Sequence, residues 1–322
     1  MPTRRLLLAL AIVSAWSASM LAHAADWPQR TVKIIAPFPA GGLSDGIARL
    51  MAQRLSETLS QQFIVENRPG AAGAIGAEAV ARAPADGYTL LLASPSQVAI
   101  VPAMTRTRYD PVKDLAPVSI ISTSATALVV NPGFPAKSLP EFVAHVRAQP
   151  AKLSYASGGV GTHNNLGMVL LLKRAGLEMV HVSYKGGVQA MADVVAGHVP
   201  VMLANLADAL PQTASGAIRI IAVTGERRAP AIPDVPTVAE SGYPGFKIAT
   251  WNGLMAPAGT PREIIDRMAV ELARAVKDPK IADRLAAMSA EVLGSGPEEF
   301  AATIAADIPV WAEAVSLAGL KE

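Results

Sequence analysis

The alternation of strand-like and helix-like segments constrains this chain most. Residues 31–36 form a short β-branched run that stops at Pro37. Ile47, Leu50, Met51, Leu55 and Leu59 then recur at helical spacing and predict a helix over 44–61. Residues 88–93, 128–130, 153–156, 179–184, 199–204 and 218–224 read as further strands. Helical patterns over 162–175, 188–196 and 206–214 stand among them. Ser138-Leu-Pro-Glu141 and Thr260-Pro-Arg-Glu263 have the form of capping boxes and open helices to about 149 and 276. Asp278-Pro279 and Pro297 begin two more. This alternation buries mainly parallel strands under helices on both faces, so the fold class is α/β. A length of 322 residues suits two such sheets, at roughly 150 residues per domain.

The first residues fall outside this rhythm. Arg4 and Arg5 precede an unbroken apolar run over 6–13, and Ala22-His23-Ala24 puts small residues where a signal peptidase needs them. Residues 1–24 therefore read as an export signal cleaved before Ala25, of the general or the twin-arginine kind. The composition carries a formal charge of +2 from 28 basic and 26 acidic residues. Arg4 and Arg5 leave with the signal, so the remainder has 26 of each and no net charge. No later apolar run reaches the roughly 18 residues that span a bilayer. An exported, soluble and monomeric protein is expected. Balanced charge with no basic stripe argues against nucleic acid. A 51% hydrophobic, 17% charged chain is not disordered. With no Cys, it has no disulfides, thiolate metal sites or cysteine nucleophile.

Two loops could carry chemistry. Ala36-Pro-Phe-Pro-Ala-Gly-Gly-Leu-Ser-Asp-Gly46 joins a strand to a helix, and Ser157-Gly-Gly-Val-Gly-Thr162 repeats the arrangement in the second half. Glycine lets the backbone approach a ligand, and a helix N-terminus presents free N–H groups that favour an anion. Both loops can equally be ordinary tight turns; if functional, they hold one ligand between two lobes. Gly42-Leu-Ser44-Asp-Gly46 matches the serine-hydrolase elbow in letters, but only one strand precedes it and no Asp–His pair follows in order. A secreted hydrolase using Ser44 is thus a remote alternative. Gly70-Ala-Ala-Gly-Ala-Ile-Gly76 lacks the dinucleotide spacing and reads as a closely packed loop entering a helix. His145, His163, His181 and His198 lack metal-ligand spacing. No metal or cofactor is expected, and His163 merits attention because it starts the helix after the second glycine loop. Trp251 suits either core or cleft.

Further motifs run in series along the chain. They are Trp27-Pro28, Pro37-Phe-Pro-Ala-Gly-Gly42 with Asp45, Val65-Glu-Asn-Arg-Pro-Gly70, Asp86-Gly-Tyr-Thr-Leu90 and Tyr109-Asp-Pro111. His181-Val-Ser-Tyr-Lys-Gly186, Ala222-Val-Thr224, Pro233-Asp-Val-Pro-Thr237 and Ala256-Pro-Ala-Gly-Thr-Pro261 complete the series. Together they resemble the Bug receptors, the substrate-binding proteins of tripartite tricarboxylate transporters, over nearly the whole chain after the signal. The resemblance implies a two-lobe periplasmic binding protein of the type II, Venus-flytrap kind. Lobe 1 would take residues 25–124 and 248–322, and lobe 2 residues 125–247. It implies a non-enzymatic receptor that closes on a small organic acid and delivers it to membrane subunits, or presents it to a sensor kinase. The implied ligand residues are Phe38, Ala40, Gly41, Gly42 and Asp45 in the first loop, with Ser94 and Gln97 beside it. In the second lobe they are Ser157, Gly158, Gly161 and Thr162, with His163, Asn165 and Asn205 as departures from the family pattern. Where the family has a His, this chain has Asn165; where it often has an Asp, this chain has Ala204-Asn205. Losing that acid and imidazole is expected to disfavour an amine-bearing ligand.

Overall fold

A computed structural model describes residues 27–321. The signal expected over 1–24 and its cleavage site lie outside them. Strand β1 (Val32–Ala36) is followed by helix α1 (Leu43–Leu59), β2 (Phe63–Asn67), a 3-10 turn at Ala71–Gly73, α2 (Ala74–Ala81) and β3 (Thr89–Ala93). A π-turn (Ser96–Ile100) leads into α3 (Val101–Met104) and the long β4 (Leu115–Val130). Then come α4 (Leu139–Arg147), β5 (Ser154–Ser157), α5 (His163–Ala175), β6 (Val180–Ser183), α6 (Gly187–Val195), β7 (Val201–Asn205), α7 (Leu206–Ala214) and β8 (Arg219–Val223). The chain ends with β9 (Ala249–Pro257), α8 (Arg262–Lys277), α9 (Pro279–Ala287), β10 (Ala290–Val292) and α10 (Pro297–Ala318).

The strand order is β2-β1-β3-β9-β4-β7-β5-β6, with β8 and β10 also pairing with β4. Parallel pairing holds the two outer groups, β2-β1-β3 and β7-β5-β6. Every antiparallel pair among the described residues includes β4 or β9. β4 pairs in both sheets, with β9 in the first and with β7 and β8 in the second. One sheet ends where Ala125 pairs with Ala249, and the other begins where Thr126 pairs with Asn205. The sequence signals only 128–130 of β4, because buried Ser119, Ser122, Ser124 and Thr126 interrupt its apolar pattern. At the join the Thr126 and Thr224 hydroxyls lie 2.6 Å apart, and Thr224 also donates to the Ile248 carbonyl at 2.6 Å.

Each sheet is covered on both faces, as the alternation requires. Ile34, Leu90 and Leu92 meet the α1 stripe of Ile47, Leu50, Met51 and Leu55, together with Met268 and Leu272 of α8. Their strand neighbours Ile35 and Leu91 face the other way, towards Trp251 and Phe300. In the second sheet Leu128 and Leu203 pack with Phe142 and Leu166, while Val129 and Met202 pack with Met191 and Val194 on the opposite side. Burying one such aliphatic side chain is worth about 1.5–3 kcal/mol. Helix α10 serves both halves: Phe300 and Ile304 join the first core, and Trp311, Ala314 and Val315 join the second.

Two local expectations change. Thr260 does not cap α8; its hydroxyl donates to the Pro257 carbonyl and Pro261 takes the N-cap position. Trp251 belongs to the core: it is 5% exposed, stands edge-on to Phe300, and its Nε1 donates to Asp307 at 2.6 Å. Ser138 does cap α4, accepting from the Glu141 N–H at 3.4 Å. Gly76 packs as closely as its loop suggests, since a Cβ there would lie 2.9 Å from Pro37 Cβ.

Candidate functional site

Both glycine loops end at helix N-termini. In the first, Gly41 sits at φ +91° and Gly42 is the N-cap of α1 with no side chain to occupy the first-turn N–H groups. Asp45 braces this loop from one turn inside the helix. Its carboxylate accepts from Gly41 N–H at 3.0 Å, Arg49 Nε at 2.9 Å and Asn67 Nδ2 at 2.8 Å. Asn67 Nδ2 also donates to the Phe38 carbonyl. Burial pushes the Asp45 pKa up, but Arg49, Gly41 and Asn67 together outweigh it and hold the group below the usual carboxylate range.

The second loop is braced by neutral groups. Thr162 caps α5 by accepting from Asn165 N–H at 3.3 Å. Asn165 Oδ1 accepts from Gly161 N–H at 3.3 Å. Gly159 and Gly161 adopt φ +128° and +82°, conformations that favour glycine. Ser157 Oγ accepts from Gly159 N–H at 3.1 Å and lies 2.7 Å from His181 Nε2. The His181 ring stacks on Tyr155, and burial lowers its pKa.

The loops meet across one cleft. Leu43 N–H, in the first turn of α1, donates to Asp208 Oδ1 of α7 at 3.1 Å. His163 N–H donates to Ser96 Oγ at 3.1 Å. A Cβ on Gly42 would lie 3.5 Å from Val188 Cγ2, and one on Gly186 would lie 2.6 Å from Pro39 Cγ. The cavity between the loops measures about 60 Å³ and has no Lys or Arg among its described lining residues. A side-chain relay crosses its floor: His163 Nε2 lies 3.0 Å from Asn205 Oδ1, and Asn205 Nδ2 donates to Asp208 Oδ2 at 2.9 Å. Burial lowers the His163 pKa to about 4 against the opposing bond from Asn205, so the ring is neutral. Burial raises the Asp208 pKa, opposed by Asn205 and the Leu43 N–H.

Of the residues singled out from sequence, Phe38, Gly42, Asp45, Gly158, Thr162, His163 and Asn205 line this cavity. Ala40, Gly41, Ser157, Gly161 and Asn165 belong to its loops or bracing but do not line it. Ser94 and Gln97 are buried beside it. Gln97 Oε1 accepts from the Ser94 N–H and hydroxyl, and its Nε2 donates to the Ala72 carbonyl, so together they hold the 70–73 loop. Ser44 also lines the cavity, but its Oγ donates to Asn252 Oδ1 at 2.9 Å, so its partner is an amide and not an imidazole.

Sequence reasoning missed Asp208. An acid in the first turn of a helix reads as a complement to the helix dipole, and nothing local shows that it reaches α1 across the cleft. An acid and an imidazole therefore do stand at this cleft, at positions other than those the family pattern uses. A second groove, of about 640 Å³, lies where Thr123 and Ala125 of β4 face Arg227, Arg228 and Asp283, and shares no sequence-predicted site residue.

Two α/β sheets joined through β4, with helix N-termini facing a shared cleft, are the architecture of a two-lobe solute-binding protein. Comparison with known proteins agrees. The chain belongs to the tripartite tricarboxylate transporter family receptors, whose family model matches residues 47–319. It is 34% identical over 320 residues to Protein BugT of Bordetella pertussis, covering 98% of both chains. Among solved structures it resembles R. palustris Rpa4515 with adipate (TM-score 0.89, 35% identity, 91% of this chain and 98% of that one). It also resembles the periplasmic binding protein BugD (0.88, 33%, 92% and 99%). MatC from Rhodopseudomonas palustris with bound malate is similar too (0.86, 31%, 90% and 100%).

Proposed function

We propose that this receptor binds a small organic acid between its two glycine loops and delivers it to the membrane subunits of a tripartite transporter. The observation that carries the reading is the carboxylate of Asp208 on Leu43 N–H. A carboxyl oxygen is seated at the start of α1, inside the cleft, with no Lys or Arg among the described lining residues. Backbone N–H groups at a helix N-terminus are sufficient for this, which is how a chain without net charge holds an anion. The adipate and malate carried by two similar structures support a carboxylate as the shared ligand group.

We infer the lobes as residues 25–124 with 248–322, and 125–247; the passage of β4 from one sheet to the other between Ala125 and Thr126 supports the division, and the end of α10 crosses it to pack on the second core. Phe38, Gly42, Gly158, Thr162, His163 and Asn205 face the ligand, and Asp45, Gly161 and Asn165 hold the loops. A cavity of about 60 Å³ is room for only a few water-sized groups. A small acid fits this space, and a longer one needs a wider cleft. Differential affinity for the closed state drives closure. The leader at 1–24 exports the chain.

A thermal-shift screen of mono- and dicarboxylates, amino acids and aromatic acids tests the reading. A ligand at 100-fold excess over Kd stabilises by about 2.7 kcal/mol. A stabilising acid, confirmed by calorimetry, is the expected result. A flat response to every acid contradicts it.

A further inference from the structure

The relay across the cleft floor has a direction. Both Asp208 oxygens accept, one from Leu43 N–H and the other from Asn205 Nδ2. The Asn205 amide therefore turns its nitrogen to Asp208 and its oxygen to His163. That oxygen can only accept, so the hydrogen between the two residues belongs to His163 Nε2. A neutral imidazole has one ring hydrogen, which leaves Nδ1 bare. His163 lines the cavity, is 7% exposed, and its Nδ1 is buried with no hydrogen-bond partner among the described residues. Unpartnered buried acceptors are rare and costly, and a ligand that supplies the missing donor gains what one without it forfeits.

We propose that His163, fixed as an acceptor by Asn205 and Asp208, makes the cleft select an acid that carries a hydroxyl or ammonium donor near its carboxylate over the same acid without one. The inference rests on the organic-acid reading above. His163 would touch the ligand directly. Asn205 and Asp208 act through it as positioning residues.

The test uses matched trios on one skeleton: succinate, malate and aspartate, then glutarate, 2-hydroxyglutarate and glutamate. In calorimetry the hydroxy or amino member should bind about tenfold or more tightly than the plain diacid. The larger gain within a trio identifies hydroxyl or ammonium as the donor. His163→Phe should bring the ratio close to one. Nitrogen-15 NMR of the wild-type ring should show Nδ1 unprotonated and Nε2 protonated, a readout independent of how any variant folds. Asp208→Asn should mix the two tautomers in the nitrogen-15 spectrum and lower the ratio, which a merely structural role would not do. Equal or tighter binding of the plain diacid in both trios overturns the inference and leaves the receptor reading intact. A wild-type proton on Nδ1 overturns it as well. If neither these six acids nor any acid in the wider screen binds, both readings fall.

Discussion

The two glycine loops have similar letters and different physics. In the first, Gly42 has φ −90°, which any residue can adopt, and a Cβ there would make only ordinary contact with Val188, so its role is to leave the cleft side of the α1 N-terminus open. In the second, Gly161 sits at φ +82° with Val101 and Met104 about 3.1–3.2 Å from where a Cβ would be, so it matters for conformation and space together. The bracing differs as well. Asp45 holds the first loop through Arg49, Gly41 and Asn67, whereas Ser157, Thr162, Asn165 and His181 hold the second without a formal charge. An anion-accepting turn can thus be set by an ion pair or by a neutral network, and the two should respond differently to substitution and to pH.

The largest effect is expected from the glycines. Gly42→Val should abolish measurable ligand binding in calorimetry with a melting temperature close to wild type. Gly161→Val should also abolish binding, and it should lose about 1–2 kcal/mol of stability or more from the left-handed backbone alone. Equal melting temperatures for the two variants would erase the distinction drawn between the loops. Asp45→Ala comes next. It strands Arg49, Asn67 and the Gly41 N–H, and chemical denaturation at pH 7 should show a loss of about 2–3 kcal/mol. The folded-state pKa of Asp45 is depressed, so this contribution is present above the ordinary carboxylate value and lost as pH falls through the folded value. Wild type and variant should converge in acid.

His163→Gln should show a smaller, pH-dependent effect. The His163 pKa falls from 6.5 to about 4 on burial, so the unfolded chain binds a proton in that window and the folded chain does not. Wild-type stability should therefore drop, relative to the variant, as pH is lowered from 6.5 towards 4, with about one extra proton taken up on unfolding. Parallel pH profiles of the two proteins would contradict a buried neutral ring. Ser44→Ala should do least, costing about 1 kcal/mol for the bond to Asn252. A fluorophosphonate probe should leave wild-type Ser44 unlabelled, and specific labelling would revive the hydrolase alternative.

Much of the architecture is legible in the sequence because it follows from local period. The stripe Ile47-Leu50-Met51-Leu55 gives α1 to within two residues at either end, and the run at 206–214 gives α7 outright. What local pattern hides is the long-range join. Buried serines and threonines mask most of β4, and Thr260 looks like a cap until Pro257 takes its hydroxyl. The same holds at the site. A glycine loop before a helix announces an anion-accepting turn from a few adjacent residues. The relay of His163, Asn205 and Asp208 depends on a helix and a strand end more than forty positions apart, and only the fold brings them to the first loop. The motif series that carries the family resemblance identifies the receptor class, but it does not point to Asp208, which lines the cleft in the first turn of α7.

The central claim is that an acid is held by backbone N–H groups where two sheets face each other, without a cationic side chain. A crystal structure of the protein with an acid found by the screen tests it most directly. The expected result is a ligand carboxylate oxygen within about 3.2 Å of a backbone nitrogen at the start of α1 or α5, with no Lys or Arg in contact. A carboxylate bound instead by Arg227 or Arg228 in the groove beside β4 would contradict the account.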